Sequence, residues 1–355
     1  MSSLPQFSYL GYQSSPSPDE LYRIRSALLT SLLVVDLRLS PSFDDRASAA
    51  HSSGAHFVGS LTALADALNA TDVFRVLRRL EPADIDTSSV SRGLGIGVGV
   101  IVDVETTGLD HCRDEVIELG MLRFEHRDGE VLRVTGAMSA LREPGVPISP
   151  EITRLTGITP EMVAGQAIDN DAVADMLAGV DLVIAHNAAF DRPFCEALHP
   201  AFSYLSWACS VDEVDWAACG FEGAKLGHLL LQSGRFHNGH RALDDCHALL
   251  HLLRLMRFDG ETGEDIPLLS DLVASAAGTR LRIWADGAPF ERKDLLKARG
   301  YRWFPGSQTA RRAWWRDLAE ADYCEEVRYL QDAVYGHLVS LRSERLTARD
   351  RYRAR

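Results

Sequence analysis

Nowhere in this 355-residue chain do two cysteines stand in a CxxC spacing. The six cysteines, Cys112, Cys195, Cys209, Cys219, Cys246 and Cys324, are scattered. Neither a cysteine zinc site nor a disulfide framework is indicated, and reduced thiols in the cytoplasm are the expectation. Positive charge is also in short supply. Against 50 Asp and Glu stand 37 Lys and Arg, a formal net charge of −13 that taken alone argues against a general polyanion binder. Long apolar runs are missing too: Ser26 to Val35 is too short to span a membrane and starts too far from Met1 for a secretory signal, so neither membrane insertion nor export is expected. No Glu separates His247 from His251 in an HExxH pattern, which leaves these residues and His228 with structural or surface roles. Gly93, Gly95, Gly97 and Gly99 precede a strand instead of joining a strand to a helix, so they read as a linker and not as a dinucleotide loop.

What is present is ordinary globular material, 46% hydrophobic and 25% charged, enough for two or three domains. Residues 1–95 read as a small helical or partly disordered segment ending in a linker, with no legible function. Residues 96–260 carry an α/β pattern. Strands are expected at 98–105, 115–126 and 130–140, the last two joined by an Arg127-Asp-Gly129 turn, followed by a strand at 182–186 and a short one at 206–210. Helices are expected near 171–178, 189–198, 225–232 and 242–256. The fold class is α/β, a mixed sheet flanked by helices, with a small α+β module over 278–340. A charged, frayed tail is expected from Arg342.

In Gly99-Val-Ile-Val-Asp-Val-Glu-Thr-Thr-Gly-Leu109 an apolar strand ends with two carboxylates, Asp103 and Glu105, two residues apart and therefore on one face. Such a pair is either a strand end emerging into water or, if buried, a request for a cation. In His186-Asn-Ala-Ala-Phe-Asp191 a buried strand gives way to a helix near the sheet's carboxyl edge, and Asp191 is either a helix cap or a site acid. In His240-Arg-Ala-Leu-Asp-Asp245 a helix begins whose stripe of Ala242, Cys246, Leu249 and Leu253 puts Asp245 at the apolar edge and Asp244 outside.

Four acids at strand or helix ends, with a histidine five residues before the last, resemble the DEDDh 3′–5′ exonucleases, the superfamily of the epsilon proofreading subunit. The resemblance covers roughly 97–256. It implies a ribonuclease H-like core in which Asp103, Glu105, Asp191 and Asp245 hold two Mg²⁺ or Mn²⁺ ions and His240 takes a proton from the attacking water. It further implies that Thr106, Thr107 and Gly108 meet the terminal nucleotide, that Leu109 wedges against its base, and that Asn187 and Phe190 line the strand's path. A buried core leucine is the alternative for Leu109. The implied partner is a nucleic acid with a free 3′ end, single-stranded DNA first, and association with a DNA polymerase follows from the same superfamily. Two departures stand out: Cys209-Ser210 replaces the Asp-Thr of many members, and no glutamine-led clamp-binding peptide follows the core. An exoribonuclease of the same superfamily, or a polymerase accessory protein with lapsed catalysis, are the other readings.

Residues 278–316 invert the chain's charge, with ten Lys and Arg against three acids and four of the six tryptophans. Cations interleaved with aromatics suit single-stranded nucleic acid; equally, the aromatics can form a small domain's own core. This stretch also resembles an accessory domain appended to some bacterial epsilon-like exonucleases. It is expected to hold the substrate strand.

Overall fold

The computed structural model describes residues 53–71, 73–81, 95–260, 262–306 and 311–354, so the apolar run 26–35 and most of the linker expected before residue 95 lie outside the described residues. Two compact units divide the chain, Met1–Arg78 and Arg79–Arg355. In the first, helix α1 (Ser53–Asn69) is closed by Asn69, whose side-chain oxygen accepts from the Val76 N–H at 2.6 Å. Among the described residues no helix is long and apolar enough to cross a membrane.

The second unit begins with β1 (Gly97–Thr106), β2 (Val116–Arg127) and β3 (Glu130–Leu141), an antiparallel meander. The β2–β3 turn is Asp128-Gly129, both with positive φ (49° and 91°), the conformation that two-residue hairpins favour and that Asp-Gly adopts readily. The chain then crosses through α2 (Pro150–Thr156) and α3 (Asn170–Leu177) to β4 (Leu182–Ala185), through α4 (Ala188–Leu198) to β5 (Ser206–Cys209), and continues into α5 (Leu226–Gln232), α6 (Ala242–Leu253) and α7 (Leu269–Ala277). Strand order is β3-β2-β1-β4-β5, with β1, β4 and β5 parallel, a five-stranded mixed sheet with helices on both faces as expected.

Alternation along β1 builds two cores. Val100, Val102 and Val104 pack with α3 and α4, while Ile101 packs with α5 and α6, and Asp103 and Glu105 continue the Ile101 face. Helix α6 ends at Leu253, three residues earlier than expected, and the chain turns into a ribbon of Met256–Phe258 and Asp265–Pro267. Helices α2 and α7 were not anticipated. The first is marked by Ser149 accepting from the Ile152 N–H, Pro150 in the first turn and a left-handed Gly157 at its end.

The C-terminal segment forms β6 (Arg280–Asp286), α8 (Lys293–Ala298), β7 (Arg302–Phe304), β8 (Ala313–Ala319), α9 (Tyr323–Tyr329) and β9 (Arg342–Leu346). Its sheet is antiparallel, ordered β7-β8-β6-β9. One face packs Ile283, Ala285 and Leu318 on Leu296, Leu330 and Val334.

The tail expected to fray does not. After β9 the chain returns to the edge of the five-stranded sheet, where the Trp207 N–H donates to Ala348 O at 2.8 Å. Arg351, 1% exposed, donates to Ser275 O, Gly278 O and Glu213, and Tyr352 donates to Glu213 at 2.6 Å. From the other side Arg192, fully buried in α4, donates to Arg351 O (2.5 Å) and Arg349 O (2.8 Å) while pairing with Glu196. A guanidinium can satisfy two carbonyls and a carboxylate at once because its donors form a planar fork. Removing it strands those acceptors. Arg192→Ala is expected to destabilise the protein by about 3–5 kcal/mol, read by denaturant unfolding, and to release the tail to proteolysis first.

Candidate active site

Helix α6 can reach β1 because of a glycine on the neighbouring strand. Gly120 stands opposite Asp103 in the β1–β2 register, and a Cβ there would meet the Ala242 carbonyl carbon at 2.3 Å. Only a residue without a side chain lets the first turn of α6 lie on the sheet. Glu118, 1% exposed, pins that turn by accepting from the Ala242 N–H (3.2 Å) and from Arg241 (2.9 Å), with Ser139 donating from β3. Asp245 is thereby carried to Asp103 and Glu105, and ligand oxygens of the three lie within 4.8 Å of one another.

A β-bulge between Glu105 and Thr106 ends the ladder and turns the chain outward. Asp191 comes from the first turn of α4, 3% exposed, and is not the residue that caps that helix. The cap position belongs to Asn187, in a left-handed conformation (φ 104°) and making no side-chain capping bond, which leaves its amide exposed at the cleft. Asp103, Glu105, Asp191, His240 and Asp245 all line one cleft of about 400 Å³, with Thr106, Gly108, Leu109, Asn187 and Phe190. Leu109 is 86% exposed, which removes the core alternative for it. Thr107 does not line the cleft: its hydroxyl accepts from the Glu115 N–H at 3.0 Å and reaches Asp114 at 3.3 Å. It shapes the loop that presents its neighbours.

Burial first, and then the repulsion of neighbouring carboxylates, raises the pKa of Asp103, Glu105 and Asp191. Burial, then Asp191, Asp245 and Glu105, push Asp103 well above the usual carboxylate range. Glu105 is pushed up to about 8 by burial and by Asp245 and Glu118, against the pull of Arg241. Asp191 moves in the same direction by burial, opposed by the Val104 main-chain N–H. Carboxylates that cannot all ionise beside one another without a counter-charge, presenting only oxygen donors, suit hard divalent cations.

One residue of this site has no signal in the sequence. His237, its side chain buried, places Nε2 2.6 Å from Asp245 Oδ1, while the main-chain N–H of His240 donates to Oδ2 at 2.9 Å. With one contact on each carboxylate oxygen, the pair fixes the orientation of Asp245. His237 is a positioning residue for Asp245. His237→Ala is expected to weaken divalent-ion binding about 10–100-fold, measurable by calorimetric titration, while the His237→Gln variant, which keeps a donor, recovers part of it.

His186 also lines the cleft, its Nδ1 2.7 Å from Ser210 Oγ and its Nε2 2.6 Å from Ala224 O. Ser210, in the departing Cys209-Ser210 pair, thus orders the strand-to-helix corner that carries Asn187 and Asp191, without touching the acids.

The RNase_T family, described as Exonuclease, matches residues 100–253. Among curated relatives, DNA polymerase III PolC-type of Clostridium perfringens is 31% identical over 161 residues, 44% of this chain and 11% of that protein. The PolC-type enzyme of Bacillus subtilis is 27% identical over 237 residues, 64% of this chain and 15% of that one. The chain therefore spans only 11–15% of the length of these two relatives. Among solved structures, Exonuclease X in complex with 5′ overhanging duplex DNA is 28% identical, with a TM-score of 0.34, over 43% of this chain and 88% of that one. Exonuclease I of E. coli in complex with a dA16 oligonucleotide is 15% identical, with a TM-score of 0.42, over 62% and 63%.

Proposed function

We propose, since the RNase_T exonuclease family matches residues 100–253, that this chain shortens DNA from its 3′ end in a divalent-metal-dependent reaction releasing nucleoside 5′-monophosphates. The domain is that of a 3′–5′ exonuclease, a hydrolase. The observation that carries the reading is the convergence of Asp103, Glu105 and Asp245 within 4.8 Å, with Asp191 in the same cleft. DNA is favoured because the curated relatives are PolC-type DNA polymerases. We take 96–260 as the catalytic domain and 278–340 as an accessory domain, with 1–95 left without a role.

Two Mg²⁺ or Mn²⁺ ions held by Asp103, Glu105, Asp191 and Asp245 would acidify the attacking water and neutralise charge at the leaving 3′ oxygen. The chain's own groups do the rest. His240 sits on a loop at positive φ (65°), exposed and lining the cleft, where its imidazole can take a proton from the attacking water and return it to solvent. Leu109 projects into the cleft to part the terminal base from its neighbour, and Phe190 gives that base an apolar surface. Asn187 offers its amide to the strand. Single-stranded DNA fits the cleft better than a paired end, because the wedge needs an unstacked base.

The test is a comparison of labelled single-stranded DNA, duplex DNA with a mismatched 3′ end, and RNA of the same sequence, each with Mg²⁺, Mn²⁺ or EDTA. Shortening of DNA ahead of RNA is expected. RNA shortened faster would move the chain to the exoribonucleases, and no shortening of any substrate would leave a binding protein with lapsed catalysis.

A further inference from the structure

A second cavity, of about 230 Å³, lies where the C-terminal sheet faces the exonuclease domain. Five arginines line it, Arg280, Arg282, Arg302, Arg316 and Arg353, against two aspartates, Asp212 and Asp317. In a chain of net charge −13 such a convergence of guanidinium groups needs a reason. Part of it is structural. Asp317 takes Arg282 bidentately at 2.5 Å, Asp212 takes Arg302 at 3.0 Å, and Glu326 takes Arg316 at 2.9 Å. Arg282 also lies 4.0 Å from the Trp315 ring centre and Arg302 5.6 Å, so stacking fixes this wall.

Two charges are left over. Arg280 meets no carboxylate at ion-pair distance among the described residues, and Arg353 spends donors only on the neutral carbonyls of Arg349 (3.0 Å) and Ser203 (2.8 Å). Both therefore bring positive charge that no salt bridge holds into a concave site, although Asp350 lies close enough to Arg353 to feel its charge, and this suits an anion with several acceptor oxygens. The cavity's position says which. Its rim includes Ala189, between Asn187 and Asp191 in the first turn of α4, and those two residues line the metal cleft. The two cavities thus share one helical turn as their divide.

We propose that this cavity is a second nucleic-acid subsite, gripping a backbone phosphate of a single strand whose 3′ end occupies the metal cleft, with Arg280 and Arg353 supplying the charge. The proposal rests on the exonuclease reading only for the direction of the strand. A phosphodiester in a strand and a free phosphate share the same chemistry. The strand is chosen because the subsite adjoins a cleft already built for one end of it.

Binding of the full chain in EDTA, so that nothing is cut, separates the cases. The probes are a labelled dinucleotide, a labelled single-stranded DNA of about 20 nucleotides, and inorganic phosphate. The double variant Arg280→Gln/Arg353→Gln is expected to bind the long strand about tenfold or more weakly, with the slope of log K against log salt reduced by about one to two. Dinucleotide binding should be unchanged, and Arg280→Lys should keep most of the affinity. Arg353→Gln alone, on an exposed residue, repeats the test if the double variant melts early. Unchanged long-strand affinity, equal weakening for both lengths, or loss of phosphate binding alone would overturn the proposal. Weakened strand binding by a chain that shortens nothing with Mn²⁺ would defeat the exonuclease reading and leave the subsite standing.

Discussion

Asp103→Asn is expected to slow metal-dependent shortening of DNA by about 10³-fold or more, about 4 kcal/mol of lost transition-state stabilisation, while making the metal-free protein more stable. Both effects have one cause. Asp103 is the acid most crowded by its neighbours, with Asp191, Asp245, Glu105 and Glu118 all adding to what burial already does. A neutral amide of the same shape relieves that repulsion and removes the charge that would hold a cation. Cleavage rates with Mn²⁺, set beside thermal melts in EDTA, read the two effects separately. A variant that stayed active, or lost activity by unfolding, would break the link between them.

The metal-free protein should lose stability as pH rises from about 5 to 8, and divalent cations should restore more of it the higher the pH. For Glu105 the carboxyl goes from an ordinary 4.5 to about 8 in the fold. Between those values the native state holds a proton that the unfolded state has released, so the unfolding free energy falls with pH. The contribution is complete below about 4.5 and gone above about 8. Asp103 and Asp191, also raised, act in the same direction. Cation binding requires the ionised carboxylates and releases their protons, so the rise in melting temperature caused by Mn²⁺ should grow across this window. A rise independent of pH would mean that these acids are not the ligands.

In the sequence Asp103, Glu105 and Asp245 are legible through period-two alternation and helical spacing, and Asp191 and His240 through the resemblance of their motifs to the DEDDh exonucleases. Gly120, Glu118 and His237 are not, since each acts across strands or loops. Gly120 matters through the approach of a helix more than a hundred residues away, and His237 through a bond to Asp245 that no periodicity announces. The C-terminal segment shows the converse error. Ten cations can be counted in the sequence, but Arg282, Arg299, Arg302 and Arg316 are engaged by carboxylates. The aromatics divide as well. Trp284 and Tyr301 are buried, and Phe290 (72%) and Trp303 (49%) are exposed. The tail misleads because its arginines read as solvated charge, whereas Arg351 is buried on main-chain carbonyls and Glu213.

The most direct measurement follows one single-stranded DNA labelled at its 3′ end or at its 5′ end during reaction with the full chain and Mn²⁺. The 3′ label should leave at the earliest times as a nucleoside 5′-monophosphate, the 5′ label should descend a ladder one nucleotide at a time, and EDTA should stop both. Release of the 5′ label first, internal cuts, or shortening that survives EDTA would contradict a metal-dependent 3′–5′ exonuclease centred on Asp103, Glu105, Asp191 and Asp245.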